Sequence, residues 1–398
     1  MTPRRPARST RRSALIVEPG DSRSALAAAR ALTAAGWHVG IGSPDRRGLA
    51  VSSRSVRGWD RVPPPEEDVD GFVDAVARAV RSRGYEVVFG AGDAEVLTIS
   101  EARDGIGAAV PYADHAAVVR AFDKVQLVEV ARGVGFPVPD TRPASDDALA
   151  AVRSPTVVRA RLHWAPGVST PGRADTAVVK DSRAAARAAR AIRLTGREPF
   201  LQDFVPGRLV ALVTVTDRAC RPLVWFQQRS ERLWPSRRAG ISARARSVAV
   251  DPALAARAAE LLAALGWFGL VELQLVEPDH GPRLLLELNG RFYGSMALAL
   301  AAGVNFPDAW ARLGTGGPAP PLQTPRPGVR YQWLEGDLRA AWAEPRGGRL
   351  RDVLGCLAYA PGAAHSIWRS SDPGPGLWVT ADLARRAVRR LSTRRAPS

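Results

Sequence analysis

Carboxylate and carboxamide side chains stand on two neighbouring apolar segments in the C-terminal half of the chain. Glu272 lies within the alternating run 270–276, and Glu287 and Asn289 lie in and just after the run 283–288. A polar segment with proline and glycine separates the two runs, which predicts a β-hairpin. Because side chains alternate along a strand, antiparallel pairing would let the three side chains converge on one face.

Such a set of oxygen atoms could bind a divalent cation. Mg²⁺ is usually held by one or two carboxylates together with substrate phosphates. Arg291 and Ser295 follow, and the Ala/Leu-rich helix after them would offer free N–H groups and a positive dipole end to an anion. The pattern therefore predicts a magnesium phosphate site. The alternative is that Glu272 and Glu287 line the wet face of a sheet, although an unpaired charge among leucines and valines would be costly.

The segments before residue 115 have the pattern of a parallel α/β sheet. Apolar strands at 13–17, 37–41 and 87–89 alternate with helices at 25–35 and 68–83. This order predicts parallel strands joined by right-handed crossovers. The turn after the first strand reads EPGDS and lacks the GxGxxG pattern, so a nicotinamide-dependent dehydrogenase is discounted.

Two turns before residue 115 contain a glycine followed by an aspartate. They are Gly20-Asp21-Ser22 and Gly92-Asp93, each directly after a predicted strand. Ligands of open α/β sheets gather at the carboxyl ends of strands, so both turns are predicted to face one crevice. Tight-turn chemistry alone is the alternative explanation.

Composition limits the classes of protein that remain. The 398-residue chain is 46% apolar, which allows two to three domains with an ample core. No apolar run approaches the ~18–20 residues that span a bilayer, and no apolar segment of a signal peptide follows the first arginines. We therefore expect a globular, cytoplasmic protein. Cys220 and Cys356 make no disulfide framework, and the five scattered histidines indicate no zinc site.

The net charge of +17 is concentrated at the two ends of the chain. Eleven arginines lie in the leading tail and in the last helix and tail, which leaves about +6 for the folded body. That remainder suits an enzyme that handles a polyanion, whereas the tails would be solvated or touch acidic surfaces. A nucleic-acid partner is not indicated.

Four motifs, in order along about two hundred residues, resemble those of the ATP-grasp superfamily. AFDKVQLVEVARGVGFPVPDT (121–141) resembles the segment that opens the ATP-grasp domain, and PFLQDFVPG (199–207) resembles its nucleotide-hinge strand. VELQL (271–275) and LLLELNGRFYGS (284–295) resemble the two metal-ligand strands, with Gly290 where the usual Glu-x-Asn-Pro-Arg motif has proline. Within the superfamily the chain is most similar to the carboxylate–amine ligases.

The resemblance implies chemical roles for residues of the two metal-ligand strands. Glu272, Glu287 and Asn289 would hold one or two Mg²⁺ (or Mn²⁺) ions, and Arg291 would stabilise the migrating phosphoryl group. Arg229, on an earlier predicted hairpin, would contact the substrate carboxylate or an acyl phosphate through its forked guanidinium. A packed or solvated arginine is the alternative for Arg229.

The resemblance also implies contacts to ATP. Lys124, at a helix start, matches the first phosphate-binding lysine of the family, with an ordinary surface lysine as the alternative. Arg159 stands where the family has its second lysine and offers a planar fork of donors instead, with Lys180 as a weaker rival for that role. The strand and hinge residues expected to hold the adenine and ribose are Gln202, Asp203, Phe204 and Val205.

Two loops are expected to face the bound substrates. The segment 167–172 reads as a mobile loop that would close over the phosphates, although its family equivalent is richer in glycine and serine. The segment around Ala239 and Gly240 resembles a substrate-side loop.

The expected fold class is α/β, with α+β character in the ATP-grasp part. The expected divisions are a basic tail (1–12), a Rossmann-like pre-ATP-grasp domain (13–115), an ATP-grasp domain (116–314) with a small lobe (about 116–200) and a metal-binding lobe (about 201–314), and a C-terminal extension with a basic tail (315–398).

The function implied by the resemblance is ATP-dependent ligation. ATP would phosphorylate a small-molecule carboxylate, and an amine would attack the acyl phosphate to form an amide or peptide bond. Amino acids or peptides are the expected substrates, and a homodimer is left open. A non-catalytic nucleotide-binding module and the carboxylase-type subunit of a multi-protein enzyme are the alternatives. For the carboxylase, the chain has no Met-Lys-Met biotinyl segment, so a partner would carry it.

Overall fold

The structure is a computed structural model that describes residues 12–166, 168, 176–235 and 240–393. The predicted closing loop 167–172, apart from Val168, lies outside the described residues, as do Ala239 and the outer parts of both basic tails. The described strands form three sheets. No helix in the described ranges has the length and hydropathy needed to cross a membrane.

The first sheet confirms the predicted parallel α/β arrangement. Its strand order is β3-β2-β1-β4, and all three pairings are parallel. The strand β3 was not expected from the sequence, because its residues are only partly buried and show no apolar run. The elements are β1 (Ser13–Val17), α1 (Arg23–Ala34), β2 (His38–Ser43), β3 (Val56–Arg61), α2 (Val69–Arg83), β4 (Val87–Gly90), α3 (Asp93–Glu101) and α4 (Arg103–Ile106).

The second sheet is antiparallel, with the strand order β5-β8-β6-β7. Helices cover one face, where Val158, Leu201 and Ala189 belong to a small separate core. The opposite face of the sheet presents Arg159 and Gln202, since these residues alternate with the core positions. The elements are α5 (His115–Phe122), α6 (Lys124–Gly133), β5 (Thr141–Pro143), α7 (Asp146–Ala150), β6 (Thr156–Ala160), β7 (Thr176–Val179), α8 (Ser182–Arg193) and β8 (Pro199–Asp203).

The third sheet has seven strands in the order β13-β12-β9-β10-β11-β14-β15. The predicted hairpin of apolar runs is β12 and β13, which pair antiparallel. The elements are β9 (Arg208–Thr216), β10 (Phe226–Trp234), β11 (Ile241–Val248), α9 (Pro252–Leu265), β12 (Gly269–Glu277), β13 (Leu284–Asn289), α10 (Met296–Ala301), α11 (Phe306–Gly314), β14 (Arg330–Gln332), α12 (Leu334–Ala343), α13 (Arg349–Tyr359), β15 (Ala364–His365) and α14 (Gly374–Thr393).

The C-terminal segment is part of this third sheet, because β14 pairs with β11 and β15 pairs with β14. Buried ion pairs reinforce the attachment. Asp337 of α12 is fully buried and accepts hydrogen bonds from Arg232 at 3.2 Å and from Arg244 at 2.6 Å. Asp372 accepts from Arg30 of the first domain at 2.8 Å. The segment from β14 to Asp372 therefore joins the third sheet to the first sheet and its helices.

An aromatic cluster joins the first domain to the third sheet. Trp310 of α11 packs against Phe89 of β4 at a centroid distance of 4.7 Å and against Tyr112 at 5.2 Å. Phe292, which follows β13, completes the cluster at 5.2 Å from Trp310. The indole N–H of Trp310 donates to the carbonyl of Pro111 at 2.6 Å, so its one polar atom is satisfied inside the core.

Removing this indole should destabilise the whole chain. We expect Trp310→Ala to lower the free energy of unfolding by about 3–5 kcal/mol, because it leaves a cavity between two domains. Trp342→Ala is the control, since Trp342 is 62% exposed, and it should cost less than about 1 kcal/mol. Urea unfolding followed by circular dichroism measures both values, and equal values for the two variants would contradict the packing assignment.

Two carboxylates are buried at the carboxyl ends of β1 and β4. Glu18 accepts hydrogen bonds from the backbone N–H groups of Gly20 at 3.0 Å and Ser22 at 2.9 Å. Burial raises the pKa of Glu18 to about 7. Burial likewise raises the pKa of Glu95 on α3 to about 8, and nearby Glu66 adds to the increase. The folded chain therefore binds protons at these positions more tightly than the unfolded chain.

A raised carboxyl pKa gives stability a defined pH dependence. The stabilisation from protonated Glu95 is fully present below its ordinary value near 4.5 and is lost as the pH rises through about 8. We expect Glu95→Gln to flatten this decline, because the amide carries no proton that titrates. Free energies of unfolding at pH 5 and pH 8 test the expectation. Glu101→Gln, at the exposed end of the same helix, should keep the wild-type slope.

Candidate functional site

The candidate site is built on the pairing of β12 with β13. Glu272 is opposite Asn289, and Gln274 is opposite Glu287, so all four side chains share one face of the hairpin. Asn289 Nδ2 lies 3.1 Å from Glu272 Oε2 and 3.4 Å from Glu287 Oε1. Gln274 also donates to Glu272, at 3.2 Å. The two carboxylates and the carboxamide converge, as the alternation along the strands predicts.

The two carboxyl groups differ in their electrostatic surroundings. Burial raises the pKa of Glu272 to about 7, and the hydrogen bonds from Gln274 and the charge of Arg291 oppose this increase only in part. Burial also acts to raise the pKa of Glu287, but the positive charges of Arg159 and Lys124 act against it, and the pKa falls to about 2. Glu287 is therefore ionised at neutral pH, whereas the pKa of Glu272 is close to neutrality.

The positive charges at Glu287 come from the second sheet and the helix before it. Arg159 of β6 donates from Nη2 to Glu287 Oε2 at 2.5 Å. Lys124 is the first residue of α6 and is buried, and its charge acts on Glu287. Asp123 caps this helix. Its two carboxylate oxygens also accept from Nε of Arg161, at 2.6 and 2.8 Å, and this ion pair fixes the start of α6 against the end of β6.

The four predicted hinge residues follow one another along β8 and the turn after it, but they do not share one face. Gln202 is buried on the face of Arg159 and donates to Thr141 at 3.2 Å. Asp203 points to the other face and pairs with Arg142 at 2.9 Å on the surface. Phe204 is 42% exposed and, like Val205, lies beyond the strand. Their roles towards a nucleotide remain predictions.

Arg229 does not reach the carboxylates. It lies in register with Val210 of β9, which is opposite Leu275 of β12, so its side chain is on the reverse face of the sheet. There it forms an ion pair with Glu277 at 2.8 Å. This placement does not support the predicted contact to a substrate carboxylate, and the packed arginine that was the alternative fits it. The physical reason is the alternation of side chains along β10.

The residue on the carboxylate face of β10 is Gln228, which the sequence did not single out. It lies in register with Ala211 and, through it, with Gln274. Gln228 is buried and donates to Ser295 Oγ at 2.6 Å, immediately before α10. Helix α10 is only six residues long, shorter than the helix expected to bind an anion. Gln228 is adjacent to Arg229 on β10, so the alternation of side chains would have placed it on the carboxylate face once the strand order was known.

Arg291 lies beyond β13 and is held by the first domain. Its Nε donates to Asp93 Oδ1 at 2.5 Å, and Asp93 is the first residue of α3. The other oxygen of Asp93 lies 2.6 Å from Nδ1 of His163, which follows β6. His163 was not singled out by the sequence, because the five histidines are isolated from one another along the chain.

The donor set fits a Mg²⁺ ion that shares its ligands with phosphates. Two largely buried carboxylates and the oxygen of an amide are hard ligands, although Asn289 here turns its Nδ2 towards both carboxylates, and Mg²⁺ is usually bound by one or two carboxylates plus phosphate. Across the described ranges, no group of three or more His, Cys, Asp and Glu side chains is placed to hold a metal by itself.

One segment of the chain matches a known protein family in sequence. Residues 228–337 match a family model described as ATP-grasp in the biosynthetic pathway with Ter operon. This range contains β12, β13 and the residues around them. No curated protein sequence matches the chain significantly.

Solved structures share the fold at low sequence identity. Biotin carboxylase from Campylobacter jejuni superposes with a TM-score of 0.63 at 13% identity, over 80% of this chain and 74% of that one. L-amino acid ligase from Bacillus licheniformis gives 0.59 at 14%, over 78% and 75%. N5-carboxyaminoimidazole synthetase from Staphylococcus aureus, complexed with ADP, gives 0.59 at 12%, over 77% and 78%.

The chain therefore has the ATP-grasp fold, and its predicted resemblance to the ATP-grasp superfamily is confirmed. The predicted fold class is also confirmed, since a parallel N-terminal sheet precedes one antiparallel sheet and one largely antiparallel sheet.

The pair Arg159–Glu287 should stabilise the contact between the two sheets. Both side chains are largely buried, so Arg159→Ala leaves a carboxylate short of its nearest counter-charge and should cost about 3–5 kcal/mol. The double variant with Glu287→Gln should cost less than Arg159→Ala alone, because a neutral amide needs no counter-charge. Urea unfolding of the two single variants and the double variant gives the coupling energy.

The control for this cycle is the ion pair Arg142–Asp203 on the same small sheet. Its members are more exposed, so Arg142→Ala should cost less than about 1 kcal/mol. Additive effects of Arg159→Ala and Glu287→Gln would contradict a direct interaction between these two side chains.

Proposed function

We propose that this chain is an ATP-dependent carboxylate–amine ligase that forms an amide or peptide bond through an acyl phosphate. The observation that supports this most is the meeting of two oppositely charged sets. Glu272, Glu287 and Asn289 face one way from the third sheet, and Lys124 and Arg159 face them from the other lobe. A triphosphate and its cation need both sets at one place.

Each set would handle one part of the nucleotide. Glu272, Glu287 and Asn289 would hold Mg²⁺ or Mn²⁺, which supplies charge neutralisation for the phosphates when bound. Lys124 and Arg159 would neutralise phosphate oxygens directly, and arginine can do so through two parallel hydrogen bonds. The hinge residues after β8 would hold the adenine and ribose.

Arg291 would act on the reacting group. Because its Nε is held by Asp93, the remaining guanidinium N–H groups have a fixed direction. Such preorganised donors stabilise negative charge as it develops, both on the transferred phosphoryl group and on the tetrahedral centre that follows amine attack. Water competes for an acyl phosphate, so the lobes would close over it.

Small carboxylates and amines are the proposed substrates, with amino acids or peptides as the first candidates. The fold similarity to an L-amino acid ligase supports this choice. The similarity to biotin carboxylase favours one competing reaction, the carboxylation of a biotin-bearing partner. We propose that the protein is located in the cytoplasm, where ATP is present.

The direct test is purified protein with ATP, Mg²⁺ and a pool of the protein amino acids. ADP and phosphate release that depends on the pool, together with a dipeptide or amide detected by mass spectrometry, would support ligation. Nucleotide hydrolysis that depends on bicarbonate instead would favour the carboxylase. Absence of Mg²⁺-dependent ATP binding would favour a non-catalytic module.

Glu287→Gln should reduce ADP release roughly 100-fold or more, since loss of even an outer partner of a metal ligand costs about 10–100-fold. Glu277→Gln is the matched control, because Glu277 lies at the end of β12 on the opposite face and should leave turnover unchanged. An active Glu287→Gln enzyme would contradict the assignment of this carboxylate as a metal ligand.

A further inference from the structure

The environment of His163 points to a chemical task. The side chain is 31% exposed, so a substrate can reach it. Nδ1 faces Asp93 Oδ2 at 2.6 Å, and hydrogen bonding to a carboxylate places the proton on that nitrogen. The lone pair is then on Nε2, at the opposite edge of the ring. An oriented imidazole with a free nitrogen is the usual form of a general base.

The partner of this imidazole keeps its charge. Burial acts to raise the pKa of Asp93, but Arg291 and His163 outweigh it and hold the pKa well below its usual range. Asp93 therefore stays ionised and can stabilise an imidazolium when His163 takes a proton. The same arrangement orients the histidine of hydrolase triads.

The location matches the point where an amine would meet the acyl phosphate. Asp93 also accepts from Arg291, which is proposed to act on the phosphoryl group and tetrahedral centre, so His163 and Arg291 are held by one carboxylate. Asp93 follows β4 at the carboxyl end of that strand, where ligands of open parallel sheets bind, so the amine would approach from there.

We propose that His163, oriented by Asp93, is the general base that deprotonates the attacking amine. The proposal rests on the proposed ligase function. The ammonium group loses one proton to His163 Nε2, and its nitrogen lone pair forms the C–N bond to the acyl carbon. The C–O bond to phosphate then breaks, and the phosphate leaves with that electron pair. The second proton from nitrogen goes to the departing phosphate, and His163 releases its proton to water.

The charged groups around this imidazole would set its pH response. Asp93 of α3 faces Nδ1, and Glu287 of β13 and Arg291 lie on the side of the third sheet. Arg197, which lies just before β8, donates to the backbone carbonyl of His163 at 3.0 Å and so fixes the backbone of this residue. A variant must leave these contacts in place if it is to test the base alone.

His163→Asn meets that condition, because the Asn amide N–H takes the position of Nδ1 and can still donate to Asp93, whereas nothing replaces Nε2. Two nucleophiles separate the steps. Hydroxylamine is unprotonated at neutral pH and traps an acyl phosphate as a hydroxamate without a base. The amino acids of the pool are protonated and need one.

We expect His163→Asn to form hydroxamate from the pooled acids at a rate within about twofold of wild type. Its rate of amide formation should fall by roughly 100-fold near pH 7, which is a typical rate contribution of a general base. Amide formation should recover as the pH is raised towards about 9, because the amine then loses its proton unaided. His280→Asn, in the exposed turn between β12 and β13, should change neither reaction.

Each other outcome overturns the proposal in a distinct way. Equal loss of hydroxamate and amide by His163→Asn would mean that the residue only holds domains together. Full retention of both would mean that another group takes the proton. Absence of hydroxamate and of acid-dependent ADP release in the wild-type protein would overturn the ligase function itself, and the role of His163 with it.

Discussion

The antiparallel pairing of β12 with β13 is the constraint on which the candidate site depends. Register decides which face each side chain occupies, and a shift of one residue would send Glu287 and Asn289 into the core while Glu272 stayed on the other face. The apolar residues between them prevent that shift, because Leu273 and Leu288 are buried against the core. The same leucines that stabilise the sheet therefore aim the acidic side chains at one point.

Burying those carboxylates costs free energy unless a positive charge lies next to them. The fold supplies such a charge from the second sheet. Arg159 approaches one oxygen of Glu287, while the other oxygen faces Asn289. Glu272 accepts hydrogen bonds from two amides, and burial raises its pKa to about 7. A divalent cation would complete this arrangement, because it would satisfy Glu272 and leave the pair Arg159–Glu287 in place.

The first sheet and its helices contribute Asp93 to the same site. Asp93 bonds Arg291 from the third sheet and His163 from the end of β6, so residues from all three sheets meet at one carboxylate. The aromatic cluster around Trp310 packs between the first sheet and the third sheet and fixes their relative position. Precise placement of reacting groups requires rigid supports of this kind, since a small displacement of a catalytic group reduces the rate strongly.

Local sequence determined much of the structure because its signals are periodic. The alternation around Glu272 and Glu287 predicted the hairpin and the shared face, and the β-α-β order before residue 115 predicted the parallel sheet. The helix that begins at Lys124 was likewise predictable from its cap and periodicity. The short, half-exposed β3 (Val56–Arg61) carried no such signal and was missed.

Tertiary structure alone decided which distant residues meet. Arg229 and Gln228 are neighbours in the sequence, but the order of strands in the third sheet sends only Gln228 to the carboxylate face. The contact between His163 and Asp93 spans seventy residues, and nothing local marks either partner for the other. Periodicity fixes the direction of a side chain relative to its own strand. Only the packing of one element on another brings two such directions to the same place.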